Sequence, residues 1–252
     1  MPPNPERGFS VLEVMVALAL FSVMSLISVL CVQQVSSVWR SSSSRDLALR
    51  ELLKAESALQ RDLGNISKGS GQSLVSAVQA GSGSVVTGDA LAMILPPADQ
   101  QQLALNSQGT VVMDRLVTYY LAVPVQVDSL AGLPQTFVGD AQGHEQQCGY
   151  KWLVRKESPA PAGSPGLLAA IPANWLSGGV VEVPAQLWRE PNRRVVAINL
   201  LQFRVTEQGP IWEVTLTAVA LEDARRKLAL GSVPLAGTRY AISHRVAAIA
   251  QN

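Results

Sequence analysis

The residues of this chain with side chains suited to chemistry are few. Its two histidines are His144 and His244, so any reaction that depends on imidazole must use one of them. His244 lies between Ser243 and Arg245 in a strand-like stretch, where a structural or surface role outweighs a catalytic one. Asp140, His144, Glu145 and Cys148 bring carboxylate, imidazole and thiol into one loop-like stretch. That set has metal-ligand types, but its spacing matches no common site and does not decide whether a metal binds. There is no glycine-framed nucleophilic serine, no phosphate-binding loop and no Asp- and Asn-rich loop suited to calcium. The expectation is a chain with no cofactor and no enzymatic activity. One more ionisable residue stands out by its surroundings: Glu13, the only charged side chain in a long apolar run.

That run extends from Phe9 to Val32 as FSVLEVMVALALFSVMSLISVLCV, without proline or glycine. As a helix it would be roughly 36 Å long, enough to cross a hydrocarbon core of about 30 Å with some tilt. A secretory signal peptide would have a shorter apolar region ending in a small-residue cleavage site. Here the small residue comes first. The leader MPPNPERG carries Pro2, Pro3 and Pro5 and ends at Gly8, so a cut after Gly8 would leave the whole helix on the mature protein.

A carboxylate inside a spanning segment costs on the order of 2.5–3.5 kcal/mol near the centre and less near the interface, so it persists mainly where it stays hydrated or finds a cation. Cleavage after Gly8 would create such a cation, the α-amine of Phe9. A neighbouring subunit shifted along the helix axis could bring that amine to Glu13 and so fix the stagger between helices.

Arg7-Gly8-Phe9-Ser10-Val11-Leu12-Glu13, followed by the apolar stretch, resembles the class III signal of type IV pilins and of the pseudopilins of type II secretion systems. The resemblance covers residues 6–32. It implies that a prepilin peptidase cuts between Gly8 and Phe9, that Phe9 is N-methylated, and that Glu13 engages the Phe9 amine of an adjacent subunit. The leader departs from the pattern in having Glu6 and a single basic residue, which weakens the positive-inside signal for orientation. Major pilins often carry a mid-membrane proline and a C-terminal disulfide loop. This chain has no proline between Pro5 and Pro96, and its only cysteines are Cys31, inside the apolar run, and Cys148. No internal disulfide is expected, and both absences imply a minor subunit.

The helix is predicted to continue. Ala48, Leu52, Ala55, Leu59 and Leu63 recur at steps of four and three, with Arg50, Glu51, Lys54 and Asp62 between them on a solvated face. The serines from Ser41 to Ser44 are the place to expect a bend or fraying, because their hydroxyls compete for backbone hydrogen bonds. Gly64 and Asn65, which tolerate a left-handed terminal conformation, should end the helix.

Beyond it, the glycine- and serine-rich residues Lys68 to Gly88 read as a loop, as does the Pro-, Ala- and Gly-rich stretch Ser158 to Pro172. Strands are predicted at Ala90–Leu95, Arg115–Val123, Tyr150–Lys156, Val195–Glu207, Trp212–Leu221 and Tyr240–Ala250, with a hairpin turn at Glu207-Gln208-Gly209-Pro210. A short helix is expected over Glu222–Leu230. The fold class that follows is α+β, a long N-terminal helix whose second half packs on an antiparallel sheet. That arrangement is pilin-like. Four regions are expected: a prepilin leader (1–8), the transmembrane half of the helix (9–32), its amphipathic half (33–64) and a β-rich periplasmic domain (65–252).

Charge is uninformative about partners: twenty basic against nineteen acidic residues give a net charge of +1, which sets aside nucleic acid. The size and element order resemble the J-type minor pseudopilins and the W-type minor pilins. That resemblance implies a single-pass inner-membrane protein with its C-terminal domain in the periplasm. Its partners would be other pilin-like subunits, a prepilin peptidase, the inner-membrane assembly platform and membrane lipid. A membrane-anchored periplasmic binding or hydrolytic domain is the reading from a different class.

Overall fold

The computed structural model describes residues 10–66, 71–79, 85–97, 107, 112–122, 149–160, 192–221, 224 and 235–250. The chain divides into two compact units, Met1–Ser43 and Ser44–Asn252. Helix α1 runs without a break over Val11–Leu63, 53 residues, so the serine run does not fray it. Serines elsewhere on α1 show why a hydroxyl need not disrupt a helix: Ser36 Oγ and Ser37 Oγ donate to the carbonyls of Gln33 and Gln34 and leave the main-chain ladder intact.

Helix α1 stops at Leu63 as expected, but by a different device. Neither Gly64 nor Asn65 enters the left-handed region. The last turn instead tightens, with Asn65 N–H and Ile66 N–H donating to the Asp62 and Leu63 carbonyls at 3.1 Å each. The Asn65 side-chain amide donates to the Arg61 carbonyl at 2.8 Å. Three carbonyls that would otherwise lack helical partners are thereby satisfied.

Among the described residues seven strands form one antiparallel meander in chain order: β1 (Gly71–Gln79), β2 (Val85–Leu95), β3 (Arg115–Ala122), β4 (Lys151–Pro159), β5 (Arg193–Gln208), β6 (Ile211–Val219) and β7 (Ala241–Ile249). All six strands expected from the sequence are present, and several run longer. The stretch expected as a loop from Lys68 to Gly88 instead supplies β1 and the first half of β2, registered from Gly71 opposite Met93 to Gln79 opposite Val85. Its glycine and serine content masked short β-branched and apolar runs, Leu74-Val75, Ala77-Val78 and Val85-Val86-Thr87. These gain a partner only through pairing with each other and with the rest of β2, which a local composition reading does not see. Strand β4 likewise continues to Pro159, into the second expected loop. The predicted helix over Glu222–Leu230 falls outside the described residues except at Ala224, whose N–H donates to the Ala220 carbonyl at 2.9 Å.

The β5–β6 hairpin turns through Gly209 and Pro210, with Gln208 opposite Ile211. Gly209 has φ 62°, the sign that a type II′ turn needs at its first central position. Proline's fixed φ near −65° suits the second.

In the second unit the helix stripe Ala48, Leu52, Ala55, Leu59 and Leu63 is buried against one face of the sheet. It meets Leu91, Met93 and Leu95 of β2, Val117 and Tyr119 of β3, Phe203 and Val205 of β5, and Trp212, Val214 and Leu216 of β6. The i, i+4, i+7 spacing of the stripe and the period-two alternation of the strands are the two patterns that let one helix face and one sheet face share a core. Each fully buried leucine in it contributes about 1.5–3 kcal/mol by leaving water. A smaller cluster of Leu201, Val219, Ala224, Leu235 and Tyr240 lies apart from this core.

Candidate assembly site and its supports

The first turn of α1 is closed by a reciprocal pair. Ser10 N–H donates to Glu13 Oε2 at 2.9 Å, and Glu13 N–H donates to Ser10 Oγ at 3.2 Å. This is a capping box, Ser-x-x-Glu, which satisfies two of the donors that a helix start leaves unpaired. Its signature is local, the four residues from Ser10 to Glu13. The structure gives Glu13 a definite partner within its own chain and leaves Oε1 with no partner among the described residues. Gly8 and Phe9 lie outside those residues, as does the Asp140, His144, Glu145 and Cys148 cluster. No group of three or more metal-ligand side chains occurs among the described residues.

Along the span that follows, apolar side chains are exposed on every side, among them Leu12, Val16, Leu20, Phe21, Leu26 and Leu30. A helix apolar all round and not covered by its own chain suits a lipid core or a bundle of like helices. Ser22 Oγ and Ser28 Oγ donate back to the Leu18 and Met24 carbonyls at 2.8 and 2.9 Å, so these hydroxyls enter an apolar medium already paired. Val11–Leu63 is long and apolar enough to cross a membrane and begins near the N-terminus, which fits a single-pass anchor. Cys31 is a free, exposed thiol.

The second half of α1 is fixed to the sheet by polar contacts that sequence reading misassigned. Glu51 and Asp62 were expected on a solvated face, yet they are only 8% and 4% exposed. Each is buried because a strand supplies donors for it. Glu51 Oε2 accepts the Ile198 N–H at 2.9 Å, and its other oxygen takes the Lys54 ammonium. Ile198 precedes Asn199, which has φ 59°, and the pairing of β5 shifts on both sides of this point. Asparagine is among the few side chains that tolerate that left-handed conformation. On β4, Lys151 Nζ donates to the Leu201 carbonyl at 2.7 Å, so helix and neighbouring strand both hold the bulge.

Asp62 anchors the other end. Its Oδ2 accepts Tyr119 Oη from β3 at 2.7 Å and Arg155 Nε from β4 at 2.6 Å. Tyr119 has one hydroxyl proton, and the charged oxygen at 2.7 Å takes it in preference to the Ala58 carbonyl at 3.2 Å. Arg155 also donates to Glu157 Oε2 at 2.7 Å, and Arg115 donates to Glu157 Oε1 at 3.1 Å. Burial, with the Asp62 charge and hydrogen bond added, pushes the Tyr119 hydroxyl far up, so it stays a donor at any relevant pH. Burial works against the Arg155 cation, but hydrogen bonds to Asp62 and Glu157 outweigh it and raise its pKa.

For Glu157, desolvation acts upward, but the hydrogen bonds from Arg155 and Arg115 prevail and hold its carboxyl below its ordinary value of 4.5. A carboxylate depressed on folding stabilises the fold fully above its unfolded pKa and loses that contribution as pH falls through the folded value. Thermal unfolding followed by tryptophan fluorescence should therefore show a midpoint that falls below about pH 4.5, with a smaller fall in Glu157→Gln. At the far edge of the sheet, His244 Nδ1 lies 2.8 Å from Glu56 Oε2. The last strand is thus tied to α1 by a structural contact of the kind expected for this histidine.

Residues 3–29 match the family model of the prokaryotic N-terminal methylation motif. The matched window holds Gly8, Phe9 and Glu13 and covers about a tenth of the chain. The methylation motif supports a type IV pilin-like family, and the fold, a long apolar N-terminal helix on an antiparallel sheet, is pilin-like. It implies processing by a prepilin peptidase and assembly with other pilin-like subunits, and the proteins that carry it are structural. The comparisons with curated proteins and with solved structures give no match.

Proposed function

We propose that the chain is a minor pseudopilin: a non-enzymatic subunit of a type II secretion pseudopilus, part of its initiating or tip complex. In this reading it is cut between Gly8 and Phe9, N-methylated on Phe9 and anchored in the bacterial inner membrane by residues 9–32, with residues 65–252 in the periplasm. Glu13 pairs with the Phe9 amine of a neighbouring subunit. The observation that carries the reading is a methylation motif leading into one continuous helix, apolar and uncovered over its first half and packed on a β-sheet over its second. An anchored enzyme would need no such division of the helix, whereas a subunit that stacks through its helices does. The lack of a proline between Pro5 and Pro96 and of a cysteine pair to close a C-terminal loop supports a minor rather than a major subunit.

Mass spectrometry of the mature N-terminus should find N-methylphenylalanine at Phe9. A retained leader, or a cut well beyond Phe9, would overturn the pilin-like assignment. Deleting the gene should block export of secreted proteins and leave surface fibres in place. The reverse outcome would assign the subunit to a type IV pilus.

A further inference from the structure

A groove of about 720 Å³ runs beside the second half of α1 and is strongly cationic. Arg50, Lys54 and Arg61 line it from the helix, Arg155 and Arg194 from β4 and β5. The positions 50, 54 and 61 recur at helical spacing, so the three cations form one stripe about 16 Å long. Their compensation is uneven. Lys54 has Glu51, Arg61 has Asp62, and Arg155 has both Asp62 and Glu157, but Arg50 and Arg194 are exposed and have no carboxylate partner among the described residues. The remaining lining includes Leu53 and Ala58, which flank the cationic stripe on its opposite sides along the helix, and Val196 of β5.

We infer that this groove receives an amphipathic acidic segment of a partner subunit, whose carboxylates meet Arg50 and Arg194 while its apolar side chains cover Leu53, Ala58 and Val196. The inference rests on reading the chain as an assembling subunit. A small anion such as phosphate is too short to reach cations spread over three helical turns. A nucleic acid strand would find phosphate contacts but no aromatic ring among the described lining residues on which a base could stack. A lipid headgroup is disfavoured by position, since Arg50 comes well after the apolar run ends at Val32. An amphipathic acidic helix of about three turns matches the length of the cationic stripe and can set apolar side chains beside its carboxylates, against Leu53, Ala58 and Val196.

The test uses the full chain purified from membranes in detergent and a labelled amphipathic peptide of about fourteen residues, glutamates on one face and leucines on the other, beside the same peptide with lysines. The glutamate peptide should bind, and binding should weaken between about 50 and about 500 mM salt. It should weaken roughly tenfold or more in Arg50→Glu/Arg194→Glu and be retained in Arg50→Lys/Arg194→Lys. Both positions are exposed, so circular dichroism of the variants should match wild type. Equal binding of the lysine peptide, or glutamate-peptide binding unchanged by charge reversal, overturns the inference. So does charge reversal that abolishes binding to phosphatidylglycerol vesicles while sparing the glutamate peptide, because the groove would then read lipid. An unprocessed N-terminus in the same sample would remove the pilin-like reading but leave the peptide result standing, so the two failures are distinguishable.

Discussion

Replacing Asp62 with asparagine should destabilise the sheet-bearing unit by about 3 kcal/mol, the low end of the range for breaking a buried ion pair. Asparagine is nearly isosteric and can still accept the Tyr119 hydroxyl, so the loss isolates the charge. What remains is the Arg155 guanidinium, with a side chain only 12% exposed and Glu157 as its one remaining carboxylate. That second partner keeps the cost at the low end. For a domain of this size the change corresponds to a fall in melting temperature of about 6–12 °C. Tyr119→Phe should cost less, about 1.5–2 kcal/mol, because Asp62 keeps its bond to Arg155 and loses one hydroxyl donor. Asp62→Asn/Arg155→Met should be more stable than Asp62→Asn alone, since it buries neither charge. The measurement is urea unfolding of the full chain in detergent, read from tryptophan fluorescence with Trp212 in the core as reporter. If the double variant were no better than the single, Asp62 would be acting through something other than its pair with Arg155.

This polar anchor marks where sequence reading ran out. The stripe Ala48, Leu52, Ala55, Leu59 and Leu63 was legible because burial of a helix face leaves a 3.6-residue signature, and the six strands from β2 to β7 because alternation and turn residues bound them. The side chains that join the two layers carry no such signature. Glu51 and Asp62 sit beside the stripe among Arg50 and Lys54, and nothing local separates a carboxylate that will meet Tyr119 and Arg155 from one that stays in water. Tyr119 and Arg155 are 57 and 93 residues away from Asp62 in the chain, so the pairing exists only in three dimensions. Hairpin β1–β2 failed for the same reason, because its stability comes from strand partners and not from its composition. At the N-terminus the opposite held. Ser10-x-x-Glu13 is a local pattern, and the cap it forms could be read from four residues.

That cap makes Glu13 the residue whose replacement should change assembly most, and it also supplies the control. Glutamate and glutamine both serve at the third helical position of a capping box, so Glu13→Gln keeps the bond to Ser10 N–H and removes only the charge. Glu13→Ala removes both. Removing the charge also lowers the cost of placing this segment in the membrane, which is on the order of 2.5–3.5 kcal/mol for a central carboxylate and less near the interface. Glu13→Gln should therefore insert at least as well as wild type, and a loss of assembly cannot be blamed on failed insertion. If Glu13 pairs with the Phe9 amine of a neighbour, both variants should lose about tenfold or more in co-purification with partner pilin-like subunits, equivalent to about 1.4 kcal/mol per contact. If its work is only to cap α1, Glu13→Gln should assemble like wild type and Glu13→Ala alone should fail, with a frayed first turn as the cause. Oε2 is already engaged by Ser10 within the chain, so the pairing hypothesis requires the amine to approach Oε1 or to share Oε2 with the Ser10 N–H. A carboxylate has lone pairs enough for both partners, whereas a glutamine side chain offers one acceptor oxygen and no charge. The two variants thus separate a register set between subunits from a helix start set within one.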